Sequence, residues 1–224
     1  MELFGSDESN KEDKNGIRIK FLLLGDKQVG KTTIANLYAK NEIIKEYHET
    51  VGREIHKIKL KIKDKDFILK LVDISSNKQF FDEIKDEFSN TDYAFIVFDI
   101  TNMNSFLSVN EWIKQCKDLG KPDIVFMLIG NKNDLETERK VTKEEAEKLA
   151  KEKNIEYMEI CALKEKDLQN MFNDAIISLF GKKVIDFELD PKTRIIGAHK
   201  TIKLDIDLNK NNALIPQKKK SCFC

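Results

Sequence analysis

The chain has 224 residues, 35% charged and 41% hydrophobic, with 39 basic and 39 acidic side chains. That length accommodates one α/β domain with a sizeable core plus a tail, and falls short of two full domains. The charge balance gives no protein-wide field toward nucleic acid, and the longest apolar runs, such as 21–24 and 94–98, fall far short of the ~20 residues that cross a bilayer.

Residues 1–16 are polar, mostly acidic and without apolar period, so they read as a disordered arm. From Ile17 the pattern changes. Segments 17–24, 56–62, 67–72, 93–98, 124–129 and 155–160 are rich in β-branched and aromatic residues and predict six strands. Between them, Phe106, Val109, Trp112, Ile113 and Cys116 recur at helical spacing, as do Leu168, Met171, Phe172, Ala175 and Leu179. Thr142 followed by Glu145 predicts a capping box that opens a helix carrying Ala146, Leu149 and Ala150 inward. The alternation predicts a mostly parallel six-stranded sheet with helices on both faces, and the adjacent second and third strands predict one antiparallel hairpin at its edge. After Phe180 the periodicity dissolves, so 17–180 reads as the domain and 181–224 as a flexible tether ending in Lys218, Lys219 and Lys220. The four cysteines, at 116, 161, 222 and 224, show no disulfide or zinc spacing, and nothing near Met1 resembles an export signal. A reducing, cytosolic compartment follows.

The sharpest motif is Gly25-Asp26-Lys27-Gln28-Val29-Gly30-Lys31-Thr32, a G-x-x-x-x-G-K-T run after an apolar strand and before a helix that continues through Thr33. Its glycines let backbone wrap a phosphate, the amides of 26–32 donate to the oxygens, Lys31 supplies a point charge, and the Thr32 hydroxyl can ligate Mg²⁺. This is a P-loop NTPase fold signature. Asn131-Lys132-Asn133-Asp134 then chooses the base. A carboxylate only accepts, so Asp134 pairs with the N1–H and exocyclic amine of guanine and would meet a lone pair at N1 of adenine. Lys132 is placed to lie over the base or brace the phosphate loop, and Asn131 to tie the two loops together. A P-loop kinase or ATPase is disfavoured by Asp134.

With these motifs the chain resembles the Ras superfamily of small GTPases, and within it the Rab family, over 17–180 and again at the last residues. The resemblance implies that Thr50, in Tyr47-His48-Glu49-Thr50 and 19 residues after Lys31, is the switch I threonine that closes on Mg²⁺ and the γ-phosphate. It implies that Asp73 holds Mg²⁺ through water, and that Cys161-Ala162-Leu163 contacts the guanine carbonyl through its backbone. It implies GTP and GDP as ligands, a monomer, and an exchange factor, effectors, an escort protein and a GDP-dissociation inhibitor as partners. Cys116 and Cys161 read as small apolar packing residues, and Trp112 as packing too.

Switch II departs from the family. Where relatives have Asp-Thr-Ala-Gly-Gln-Glu, this chain has Asp73-Ile74-Ser75-Ser76-Asn77-Lys78. Ser76 adds a Cβ where a glycine amide meets the γ-phosphate, and Asn77 shortens the stem of the water-orienting amide. Lys27 and Gln28 crowd the γ-phosphate side, and Ile43 replaces the aromatic that covers the base. Slow hydrolysis is expected, with a working GTPase and a hydrolysis-deficient interaction module as the two readings.

The chain ends Ser221-Cys222-Phe223-Cys224, which is no C-a-a-X signal because Ser221 stands where the cysteine is needed. It resembles the Rab Cys-x-Cys ending, which implies geranylgeranyl groups on Cys222 and Cys224. Two chains anchor stably where one is marginal. The expected location is the cytosolic face of an intracellular membrane, with a soluble pool.

Overall fold

The computed structural model describes residues 17–42, 49–62, 65–77, 80–183, 194–197 and 200–203. Strand β1 (Ile17–Leu24) runs between β3 (Lys65–Ile74) and β4 (Tyr93–Asp99), parallel to both. Beyond β4 lie β5 (Val125–Asn131) and β6 (Glu156–Ile160), also parallel, and beyond β3 lies the antiparallel β2 (Arg53–Ile62). This is the six-stranded sheet expected from the sequence. The strands are longer than the apolar runs suggest: β3 extends through Asp73 to Ile74 and β5 through Gly130 to Asn131, because polar residues at the strand ends still pair in register. Two short strands that the sequence did not signal, β7 (Arg194–Gly197) and β8 (Lys200–Lys203), continue the sheet past β2.

The central strands are apolar on both faces, so the sheet builds two cores. Phe21, Leu23, Tyr93 and Phe95 face one side and pack under α1 (Lys31–Lys40) and α6 (Glu165–Lys183). There Phe172 stacks on Tyr38 with ring centroids 3.6 Å apart and meets Phe95 edge-on at 5.2 Å. Each such buried ring stabilises the fold by about 1.5–3 kcal/mol. Leu22, Leu24, Ala94, Ile96 and Phe98 face the other side, under α4 (Val109–Leu119) and α5 (Lys143–Lys153), with the short α2 (Phe81–Ile84) and α3 (Met103–Leu107) beside them. The capping box forms as expected: Glu145 N–H donates to Thr142 Oγ1 at 3.2 Å, and Thr142 N–H donates to Glu145 Oε2 at 2.8 Å.

Strand order places the chain's change of direction at β1 and β4, with β3 and β2 built to one side and β5 and β6 to the other. Ligands of such sheets sit at the carboxyl ends of the strands beside that switch point. The loops leaving β1, β3, β5 and β6 converge there. Among the described residues no helix is long and apolar enough to cross a membrane.

Candidate functional site

The loop leaving β1 is shaped by two glycines whose side chains could only be hydrogen. Gly25 has φ +140°, and a Cβ there would stand 2.1 Å from the Val97 carbonyl oxygen. Gly30 has φ +100°, and its Cβ would stand 2.2 Å from Asn131 Nδ2. The loop therefore packs directly on β4 and on the end of β5. Lys31 opens α1 and folds back, with Nζ donating to the carbonyls of Gly25 at 2.7 Å and Asp26 at 2.8 Å. Burial pushes its ammonium down to about 8, against the opposing pull of Asp73 and Asp26. The N-cap Gly30 offers no side chain to cap α1, so the first amides of the helix open toward the same space as this cation.

Three oxygen-bearing side chains meet beside Lys31. Thr32 Oγ1 donates to Asp73 Oδ2 at 2.6 Å and lies 3.0 Å from Thr50 Oγ1, which donates to the same carboxylate oxygen at 3.3 Å. Asp73 is fully buried, and its Oδ1 has no hydrogen-bond partner among the described residues. Burial raises the Asp73 carboxyl, and the Thr32 bond and the Lys31 charge counter that rise. A buried carboxylate with an unused oxygen, flanked by two hydroxyls, is a hard-oxygen set that fits magnesium and leaves coordination positions for phosphate and water.

The base end is assembled by Asn131, which is almost wholly buried at the end of β5. Its Nδ2 donates to the Val29 carbonyl at 2.7 Å, and its Oδ1 accepts from the Ala162 amide at 2.9 Å. One side chain thus fixes the distance between the phosphate loop and the loop after β6. Lys132 takes a left-handed backbone, φ 67°, and its Nζ pairs with Asp99 Oδ2 at 2.6 Å. Cys161 is buried beneath the loop after β6, and burial with the charge of the Asp134 carboxylate pushes its thiol up. Behind these loops Arg139 grips Glu159 through Nη1 and Nη2 at 2.9 and 2.8 Å and also holds Glu136, bracing the segment that carries Asp134.

Lys31, Thr32, Thr33, Thr50, Ser76, Asn131, Lys132, Asp134, Cys161, Ala162 and Leu163 all line one cleft of about 490 Å³, with Lys27 and Gln28 at its exposed rim. Glu49, Ile74 and Leu135 line it too, each beside a motif residue but with no role read for it from the sequence. Val29 is core. Gln28 holds φ 64°, a left-handed conformation that a side chain makes costly. Asn77 does not line this cleft. It faces a smaller neighbouring one of about 230 Å³ with Asp26, Glu111 and Trp112, and its N–H donates to Ser75 Oγ at 3.1 Å. Trp112 is likewise more than packing: with Ser108 it binds the Asp26 carboxylate, a role that their spacing on one helix face signals only once the phosphate loop is in place. Ile43, Tyr47, Cys222 and Cys224 lie outside the described residues.

The sequence matches the Ras family over residues 20–180. It is 27% identical over 169 residues to the Ras-related protein Rab-11C of Dictyostelium discoideum, a span covering 75% of each chain. It is 29% identical over 178 residues to the Ras-related protein YPT3 of Nicotiana plumbaginifolia, covering 78% of this chain and 82% of the relative. The matched region holds both loops that Asn131 ties together, and the chain belongs to the Ras family, as a small GTPase of the Rab type.

Proposed function

We propose that this chain is a Rab-type switch in vesicle trafficking that binds GDP and GTP with Mg²⁺, turns GTP over slowly, and works at the cytosolic face of an intracellular membrane. The observation that carries this reading is the Asn131 bridge, which sets Lys31 and Asp134 at two ends of one cleft. On nucleotide binding, Lys31 exchanges two carbonyl acceptors for phosphate oxygens, and the first amides of α1 gain acceptors. Asp134 accepts both guanine donors. Thr32, Thr50 and Asp73 would hold the metal, which supplies neutralisation of the phosphate charge. Thr50 then reports the γ-phosphate, since its hydroxyl belongs to the segment that must close.

A hydrolysis-deficient interaction module is favoured by the placement of Asn77 in the neighbouring cleft rather than beside the phosphates. Membrane attachment through geranylgeranyl groups on Cys222 and Cys224 rests on the sequence, as do the escort protein, GDP-dissociation inhibitor, exchange factor and effectors that the resemblance implies. Nucleotide content of the purified chain followed by single-turnover hydrolysis of preloaded GTP tests the two halves separately. Bound guanine nucleotide with slow, measurable hydrolysis is expected. Absence of bound nucleotide would remove the switch, and a rate equal to buffer would leave only the binding module.

A further inference from the structure

A second concave site lies at the opposite end of the sheet from the nucleotide cleft. It has a volume of about 600 Å³ and is lined by Arg18, Lys20, Lys57, Lys70 and Lys121, with Asp92 the one carboxylate in its wall among the described residues. The strand register builds it. Lys20 on β1 stands level with Lys70 on β3, which stands level with Lys57 on β2, so three ammonium groups form one row across three strands. Arg18 lies two residues back on the same face. Like charges directly opposite on neighbouring strands destabilise a sheet. Burial holds the Lys20 ammonium below its usual value despite Glu87, and the charges of Lys70 and Arg53 add to the depression.

The carboxylates within reach are already committed. Glu87 Oε2 takes both Lys20 at 2.7 Å and Lys70 at 2.8 Å, and its Oε1 takes Arg53 at 3.0 Å. Asp92 Oδ1 takes Lys121 at 2.6 Å, and its Oδ2 accepts the Lys20 amide at 2.8 Å. The cavity therefore carries a surplus of positive charge with the geometry of an anion pocket.

Its position names the source of the anion. Helix α6 leaves the nucleotide edge and returns along the sheet, and near its end the Phe180 ring packs edge-on against Phe67 at 5.0 Å. Phe67 is level with Ile17, one residue from Arg18, and with Leu60, which pairs with Gly197 of β7. Strands β7 and β8, which precede in sequence the stretch with Lys218, Lys219, Lys220, Cys222 and Cys224, thus pair at the same edge, past Lys57 on β2. If those cysteines carry lipid, on which this inference rests, that edge is the one drawn to a bilayer. We propose that the Arg18, Lys20, Lys57, Lys70 and Lys121 pocket binds the phosphorylated headgroup of an anionic membrane lipid, and so orients the domain with its nucleotide cleft away from the bilayer.

The test uses the full chain, GDP-loaded and without lipid, in a flotation assay on phosphatidylcholine vesicles. These carry either phosphatidylinositol bisphosphate or phosphatidylserine at matched charge. About tenfold tighter binding to the bisphosphate vesicles is expected, and Arg18→Glu with Lys57→Glu should abolish that preference while GDP affinity is kept. Replacing Lys218, Lys219 and Lys220 by alanine should weaken binding to both vesicles alike and preserve the ratio. Lys57→Ala alone, which leaves the fold least disturbed, should reduce the preference about threefold. Equal binding to both vesicles, or a preference lost only with the tail substitutions, overturns the proposal. Tight binding of soluble inositol trisphosphate without vesicle preference overturns the lipid source. Since the assayed protein bears no prenyl group, failure here leaves the anchor untouched. The mass of the membrane-extracted terminus tests that anchor independently.

Discussion

Trp112 Nε1 donates to Asp26 Oδ1 at 2.8 Å, across 86 residues of sequence, and locks α4 to the phosphate loop. Ser108 Oγ donates to the other oxygen of the same carboxylate at 2.8 Å. Asp26 in turn offers its backbone carbonyl to Lys31. The chain's one tryptophan is therefore two bonds away from the lysine that receives phosphate.

Trp112→Phe keeps a ring in place but leaves one Asp26 oxygen without its donor. A loss of about 1–3 kcal/mol in stability is expected, because the carboxylate is half-buried and charged. Denaturant unfolding measures it, and GDP dissociation should quicken in the same variant. The wild-type indole emission should also change when GDP is removed.

Asp134→Asn replaces an acceptor-only group by one that must present a donor or a single acceptor to the guanine edge. Guanine affinity should fall by at least about a hundredfold, the loss of two charge-assisted hydrogen bonds. The same variant should gain affinity for xanthine nucleotides, whose C2 carbonyl welcomes a donor. Competition binding with GDP and xanthosine diphosphate reads both changes.

Asn77→Gln alone should change single-turnover hydrolysis by less than about threefold, since the side chain starts from the cleft beside Trp112. Joined with Ser76→Gly, which removes the Cβ from the cleft wall, the rate should rise about tenfold or more, as expected when a water-positioning group regains its place. A rate from Asn77→Gln alone that matches the double variant would show that stem length, and not loop path, limits turnover.

Glu87 supplies a pH signature. Burial pushes its carboxyl up, but the bonds from Lys20 and Lys70 outweigh that and hold it below the usual carboxylate value. A carboxyl depressed in the folded state contributes stability that is present above its unfolded value and lost as pH falls through its folded value. Glu87→Gln should therefore cost about 3–5 kcal/mol at pH 7, where it leaves Lys20, Lys70 and Arg53 without their common partner. That difference should shrink as pH falls below about 4.5 and the wild-type carboxyl protonates. Urea unfolding of both proteins from pH 7 to pH 3 checks the sign.

Much of the architecture was legible in the sequence because it rests on local patterns. The apolar runs around Phe21 and Phe95 and the spacing of Leu168, Phe172 and Ala175 carry the period of their elements, and Thr142 with Glu145 carries a cap. The site was legible where its chemistry is packed into contiguous motifs, as at Lys31-Thr32 and Asn131 to Asp134. What escaped depends on contacts across long separations. Trp112 reads as a core residue until Asp26 is brought to it. The placement of Asn77 beside Asp26 and Trp112 is likewise set by residues far away in sequence. The pairing of β7 with β2 involves two residue pairs, too short a contact to mark a sequence.

The most direct test of the account is equilibrium binding of the purified, nucleotide-stripped chain with magnesium present, using GDP and ADP side by side. About one equivalent of GDP is expected, bound more tightly with magnesium than without it, with ADP weaker by at least about a hundredfold. Equal affinity for the two diphosphates, or no uptake of either, would contradict it.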